Sequence, residues 1–210
     1  MIAELYKATF ETIYMIFFSG FLATIFGIPL GVGLYMSSRS KKYNKVYFIL
    51  DTFVNVFRSI PFIILVLLLI PLTKKVIGTI IGTNAAVFNL TIAAIPFMAR
   101  LSENSFNNLP GGIVDSAKSM GMTNWQFVTK VLLPETLAEQ IANITVLLIN
   151  LVAYTAIAGA VGAGGLGQLA INYGYYRFQW DAVLYSVIIL ILISQGIQFL
   201  GNRFSNLFRR

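Results

Sequence analysis

Cysteine and histidine are both absent from the 210 residues, and only 8 carboxylates are present. Without thiols or imidazoles the chain forms no disulfide, offers no thiolate nucleophile and lacks the usual zinc ligands. So few acids, with no histidine, assemble no acid–base or metal constellation, so no catalytic residue and no metal site is expected. Charged residues make up 11% of the chain, against about a quarter in soluble proteins.

The chain is rich in apolar residues, 57% of the total, in runs too long for a soluble domain to hide. Several reach the roughly 20 residues that carry a helix across about 30 Å of hydrocarbon. The expected class is an all-α integral membrane protein, one domain over residues 1–210. Five spans are expected, at about 9–36, 47–72, 84–108, 134–160 and 182–202. The first run is too long for a signal-peptide core and ends without a cleavage site, so it reads as a retained span. Gly27, Pro29, Gly31 and Gly33 interrupt it, and Pro96 breaks the third span. The second span carries Asp51, Asn55 and Arg58 before Pro61, so its polar half belongs near the interface or against protein.

The net charge of +7 suggests nucleic acid only if the cations share a soluble face. They lie beside apolar spans instead, which points to topology and away from nucleic acid. Arg39, Lys41, Lys42 and Lys45 crowd one short loop without an acid, placing that loop in the cytoplasm and the N-terminus outside. Lys118, Lys130, Arg203, Arg209 and Arg210 agree, with the C-terminus inside; Lys74 and Lys75 do not. Tyr173, Tyr175, Tyr176, Phe178 and Trp180 suit an outer membrane edge. No internal repeat marks two halves of a secondary transporter. Five spans make a thin wall for a solute path, and a second copy related by a two-fold axis thickens it.

Residues 109–133 form a polar island on the cytoplasmic side. Pro110-Gly111-Gly112 ends the third span. Ile113, Val114, Ala117 and Met120 then recur at helical spacing, with Asp115, Ser116, Lys118 and Ser119 on the other faces. Gly121 closes this short amphipathic helix. Thr123 and Gln126 match a capping box that starts a second helix running to Pro134. A short exposed helix joined to two spans is what a lever requires, and it makes the chain look driven from outside.

The island resembles the EAA loop of ABC-importer permeases. Asp115, Ser116 and Ala117 stand for its glutamate-alanine-alanine, followed by Gly121, by Val131 in place of isoleucine, and by Leu133-Pro134. The stretches Phe57–Phe62, Pro96–Arg100 and Gly159–Gln168 resemble the methionine-uptake branch of that family. The resemblance implies the type I importer transmembrane domain, a homodimer in the inner membrane, and methionine in D or L form, or a derivative, as solute. It also implies two cytoplasmic ATPase subunits docked on Asp115, Ser116, Ala117, Met120, Gly121 and Pro134. ATP and magnesium then belong to those subunits, this chain needs no cofactor, and an extracytoplasmic binding lipoprotein delivers the solute. A permease for another small amino acid or peptide, or an ion-coupled carrier, stands as the alternative.

Other polar residues divide between structure and solute path. Arg58 suits the inner interface by snorkelling. Arg100 and Glu103 share a helical face and neutralise each other. Tyr154, Thr155 and Ile157, near the outer end of the fourth span, either line the pathway or glue helices together. The glycines from Gly162 to Gly167 lack the lysine-serine pair of a phosphate loop, so flexible backbone or close helix packing explains them.

Overall fold

A computed structural model describes residues 2–208; Arg209 and Arg210 of the C-terminal cationic group lie outside the described residues. Helices account for all regular structure among them, with no strand. Four helices are long and apolar enough to cross a membrane: α1 (Ile2–Ser38), α4 (Thr83–Asn107), α8 (Leu137–Gly159) and α10 (Trp180–Phe208). Helical spans suit hydrocarbon because every backbone N–H is satisfied within the segment. A fifth apolar unit is bent by 110°, where α2 (Asn44–Ser59) meets α3 (Phe62–Ile77).

That bend replaces the continuous second span expected over residues 47–72. Ile60, ahead of Pro61, is extended at φ −78° and ψ 123°, the conformation that proline imposes on its predecessor. The prolines expected to interrupt the first and third spans behave differently. Pro29 lies inside an unbroken α1 and Pro96 inside an unbroken α4, so neither interrupts its span as the sequence suggested.

Packing explains the continuity. α1 and α4 make the most extensive helix pair in the fold. A Cβ on Gly27 would lie 2.6 Å from Cβ of Met98, and one on Gly31 would lie 2.7 Å from the Ala99 carbonyl. These glycines therefore mark close backbone approach, as small residues do in membrane interfaces. Met15, Ala23, Leu90, Ala94 and Met98 fill the seam, with Leu147 and Leu151 of α8 completing the main core. Thr12, Ser19, Thr24 and Ser37 turn their hydroxyls back to carbonyls one turn earlier, hiding polar atoms along α1.

The periphery is bare by contrast. α10 buries only Ala182 and Ser186 fully, and α2 only Val54. The remaining faces of these helices require lipid or a second chain against them.

Candidate functional site

Between α4 and α8 the chain builds a jointed, non-spanning unit. Helix α5 (Gly111–Ser119) begins after Pro110. Val114 and Ala117 are buried, and Val114 packs with Tyr35, Phe106, Leu109 and Leu132. This cluster holds α5 against the C-terminal ends of α1 and α4. Asp115, Ser116 and Met120 point the other way and are exposed, Met120 by 67%. A large apolar side chain thus stands free beside a carboxylate and a hydroxyl.

Gly121 ends α5 at φ 67°. The Met122 N–H donates to the Ala117 carbonyl at 3.3 Å and the Gly121 N–H to the Lys118 carbonyl at 2.9 Å. This pair of bonds is a Schellman cap. Nothing lies within 4 Å of a Cβ built on Gly121, so the constraint there is backbone conformation and not space.

Thr123 then caps α6 (Asn124–Phe127). Its hydroxyl accepts from the Gln126 N–H at 3.3 Å, and its own N–H donates to Gln126 Oε1 at 2.9 Å. The chain widens into a π-helical turn over Val128–Leu132, closed by the Leu133 N–H donating to the Val128 carbonyl. A short α7 (Leu133–Glu135) contains Pro134, which has no N–H to give to a carbonyl one turn back. Thr136 breaks the helix at φ −96°, and α8 starts directly. Two joints, Gly121 and Thr136, thus bracket the link from α5 to a span.

Above this unit lies a charged cluster that sequence reading found only in part. Arg100 meets Glu103 at 2.6 Å, as its spacing on α4 predicts. It also meets Asp51 at 2.5 Å and the side-chain oxygen of Asn55 at 2.9 Å, both on α2. The available signal was complementarity, because Asp51 and Asn55 sit one turn apart on α2 as Arg100 and Glu103 do on α4. On the other flank of α4, Ser102 donates to Gln140 and Asn143 donates to Ser105, each at 2.8 Å, tying α4 to α8.

The residues considered for a solute path separate. Tyr154 is half-buried and its ring stacks on Phe62, 4.8 Å between centroids and 4° from parallel. Thr155 is buried and donates to the Val152 carbonyl at 2.7 Å, so it faces the interior of this chain. Ile157 is exposed. After α8 the glycine-rich stretch leads into α9 (Gly165–Leu169). The Gly165 N–H donates to the Glu11 carboxylate at 2.7 Å and the Leu166 N–H to the Thr12 hydroxyl at 2.9 Å. Of the two explanations for this stretch, close packing against α1 is the one observed. A cavity of about 400 Å³ opens beside it, lined by Lys7, Glu11, Asn172 and Tyr173 among others.

No three metal-binding side chains gather among the described residues. The arrangement joins an exposed helix to two spans through the turn at Gly121 and the break at Thr136. A family model described as binding-protein-dependent transport system inner membrane component matches residues 12–210. The chain belongs to that family. As such a component it is a transport subunit and a multi-pass inner-membrane protein.

Its relatives are specific. It is 43% identical over 196 residues to the probable D-methionine transport system permease protein MetI of Haemophilus influenzae, covering 90% of this chain and 92% of that one. It is 41% identical over 208 residues to the methionine import system permease protein MetP of Bacillus subtilis, covering 98% and 94%. A chain of the MetNI methionine ABC transporter, solved in inward-facing form, superimposes with a TM-score of 0.97 at 41% identity, covering 100% of this chain and 98% of that chain. The fold is therefore that of a type I ABC-importer membrane domain, as the sequence implied.

Proposed function

We propose that this chain is the membrane permease of an ATP-driven methionine importer, in which two copies enclose the path and α5 receives the force. The observation that carries the reading is α5 itself. Val114 and Ala117 root it in the bundle while Asp115, Ser116 and Met120 stand exposed between two spans. The relatives named for methionine support the solute, in D or L form or as a derivative.

In this reading two cytoplasmic ATPase subunits hold ATP and magnesium and close on each other. The closure pulls on Asp115, Ser116, Ala117, Met120 and Gly121, and Pro134 hands the movement to α8. An effector shifts a two-state equilibrium only through its different affinity for the two states, and the ATPase pair supplies that difference. The paired bundles then open to alternate sides. Tyr154 and Ile157 are the pathway candidates of this chain, and Thr155 acts behind them by packing. An extracytoplasmic binding protein delivers solute at the end bearing the glycine-rich stretch, with the N-terminus outside and the C-terminus inside. The cations of residues 39–45 support that orientation.

Ion coupling is the weaker reading, because it needs a carboxylate free to change its charge within the membrane. Of the three carboxylates available, Asp51 and Glu103 are both held by Arg100, and Glu139 lies in the first turn of α8, at the end of its span.

The test is uptake of labelled methionine into vesicles containing the assembled transporter, with ATP inside and binding protein outside. Ala117→Glu forces a charge into the buried side of α5, and we expect it to abolish uptake while the dimer survives. ATP-coupled uptake by this variant at the original rate sinks the lever. Uptake driven by an ion gradient, with no ATPase present, sinks the importer itself.

A further inference from the structure

The bend at Pro61 makes an arm of α2 and α3, and polar contacts fasten both halves of that arm to α4. On α3, the Thr73 hydroxyl donates to Asn89 Oδ1 at 2.6 Å, with both side chains buried. On α2, Asp51 and the side-chain oxygen of Asn55 accept from one guanidinium nitrogen of Arg100, at 2.5 and 2.9 Å. The Asn55 amide donates to Asp51 at 3.0 Å, so the two acceptors hold each other in place. Arg100 and its second partner Glu103 are withdrawn from solvent, at 16% and 3% side-chain exposure. Leu34, Val54 and Ala99 form a small buried cluster between the same helices and α1.

The place of Arg100 along the chain gives this clasp its meaning. About two turns beyond it α4 ends, and α5 begins after Pro110. Phe106, on those last turns, packs in the cluster that seats Val114 of α5. In the other direction α2 runs from Asp51 to the bend. Phe62 opens α3 there, buried, with its ring stacked on Tyr154 of α8. α2 itself buries only Val54 fully, so apolar packing does little to fix it. Arg58 adds a looser contact, 5.8 Å over the Phe97 ring of α4. The clasp therefore stands between the helix that receives the force and an aromatic contact with a pathway candidate.

We infer that Arg100 is a positioning residue for transport. Its grip on Asp51 and Asn55 makes α2 move as one body with α4, and so carries displacement of α5 to the Phe62–Tyr154 stack. Arg100 touches no solute in this role. The charges favour a clasp that stays closed, because Asp51 and Glu103 share one cation and parting the helices strands the Asp51 carboxylate. Rigid helices joined by such a network are what couples distant sites, and a cut in the network tests the coupling. The inference rests on α5 receiving the force, and it names the residue that passes the force on.

The experiment measures methionine uptake and ATP hydrolysis together, in vesicles holding the assembled transporter with its ATPase subunits and binding protein. Asp51→Ala with Asn55→Ala cuts the clasp and leaves the Arg100–Glu103 pair on α4 intact. We expect assembly and hydrolysis to persist while uptake per ATP falls about tenfold, an ordinary coupling between sites. Uptake and hydrolysis falling in equal proportion would assign Arg100 to folding alone and overturn the proposal. The chain has no cysteine, so Val54→Cys with Ala99→Cys supplies its only thiol pair, and a reversible cross-link there fastens α2 to α4 by other means. In the double alanine variant the cross-link should restore uptake per ATP, and reductant should abolish the gain. In the otherwise native chain it should leave uptake unchanged, and this arm carries the test if the alanine variant does not assemble. Uptake lost on cross-linking and regained with reductant would show that α2 and α4 part in each cycle, which overturns the proposal. Unchanged uptake per ATP in the alanine variant, with Ala117→Glu still abolishing uptake, overturns the proposal and leaves the lever standing; Ala117→Glu without effect removes the lever itself.

Discussion

Two pairs of helices meet the same kind of residue with opposite results. α1 and α4 each carry an internal proline and remain continuous, whereas α2 and α3 part at Pro61 with a bend of 110°. The difference lies in what surrounds the proline. α1 and α4 are pressed together until glycine replaces side chains at Gly27 and Gly31, and neighbouring groups hold each helix on course. α2 buries one residue fully and has no such support. At Pro29, Pro61 and Pro96 the break falls where packing is sparse, although Pro71, exposed within an unbroken α3, shows that a proline can also stay helical without such support. What joins the two pairs is polar: Arg100 on the tight pair grips Asp51 and Asn55 on the loose one.

The largest expected effect comes from cutting that grip. Arg100→Gln leaves Asp51 and Glu103 without their cation, and removal of one partner from a buried pair costs about 3 kcal/mol or more. We expect the thermal midpoint of the purified protein to drop. Cleavage by trypsin at Lys41, Lys42 and Lys45 should accelerate before any cleavage near α4. Simultaneous loss of both regions would show that they are one unit after all.

Next comes the glycine seam. Gly31→Val drives a side chain into the Ala99 carbonyl and Ser102, with an expected loss of about 1–3 kcal/mol in detergent unfolding. The control is Gly33→Ala, where the nearest atom to a new Cβ is Leu50 Cδ1 at 3.8 Å and the midpoint should stay level or rise slightly, because alanine favours helix over glycine. Equal damage from both would mean that close approach to α4 is not what sets the identity of Gly31.

Gly121→Ala is smaller. A left-handed backbone is about 1–2 kcal/mol worse for a residue with a Cβ, so ATP-coupled uptake should decline while assembly persists. The smallest loss belongs to Pro29→Ala. Because α1 already runs through this position, the thermal midpoint should stay level or rise, by an amount worth about 3 kcal/mol at most. A fall would mean that Pro29 shapes α1 after all.

Much of this was legible from residues close together in the sequence. α5, its end at Gly121, the Thr123–Gln126 box and the Arg100–Glu103 pair are local patterns, decided within a turn or two of helix. The apolar runs likewise announced a helical membrane protein. What was not legible is tertiary. Nothing in the spacing of Pro29 or Pro96 reveals that a neighbouring helix will keep its span continuous, and only the matching spacing of Asp51 and Asn55, far off in sequence, hints at the second partner of Arg100. Thr155 shows the same limit, since its polarity suggested a solute path and its neighbours placed it inside.

The open surroundings of Gly121 carry a practical consequence. Chirality alone bars ordinary side chains there, so a mirror-image amino acid, for which that backbone twist is the relaxed one, can replace it without crowding any neighbour. A dye borne on such a residue by semisynthesis would ride on the hinge itself. It would report each working stroke as a change in its own orientation.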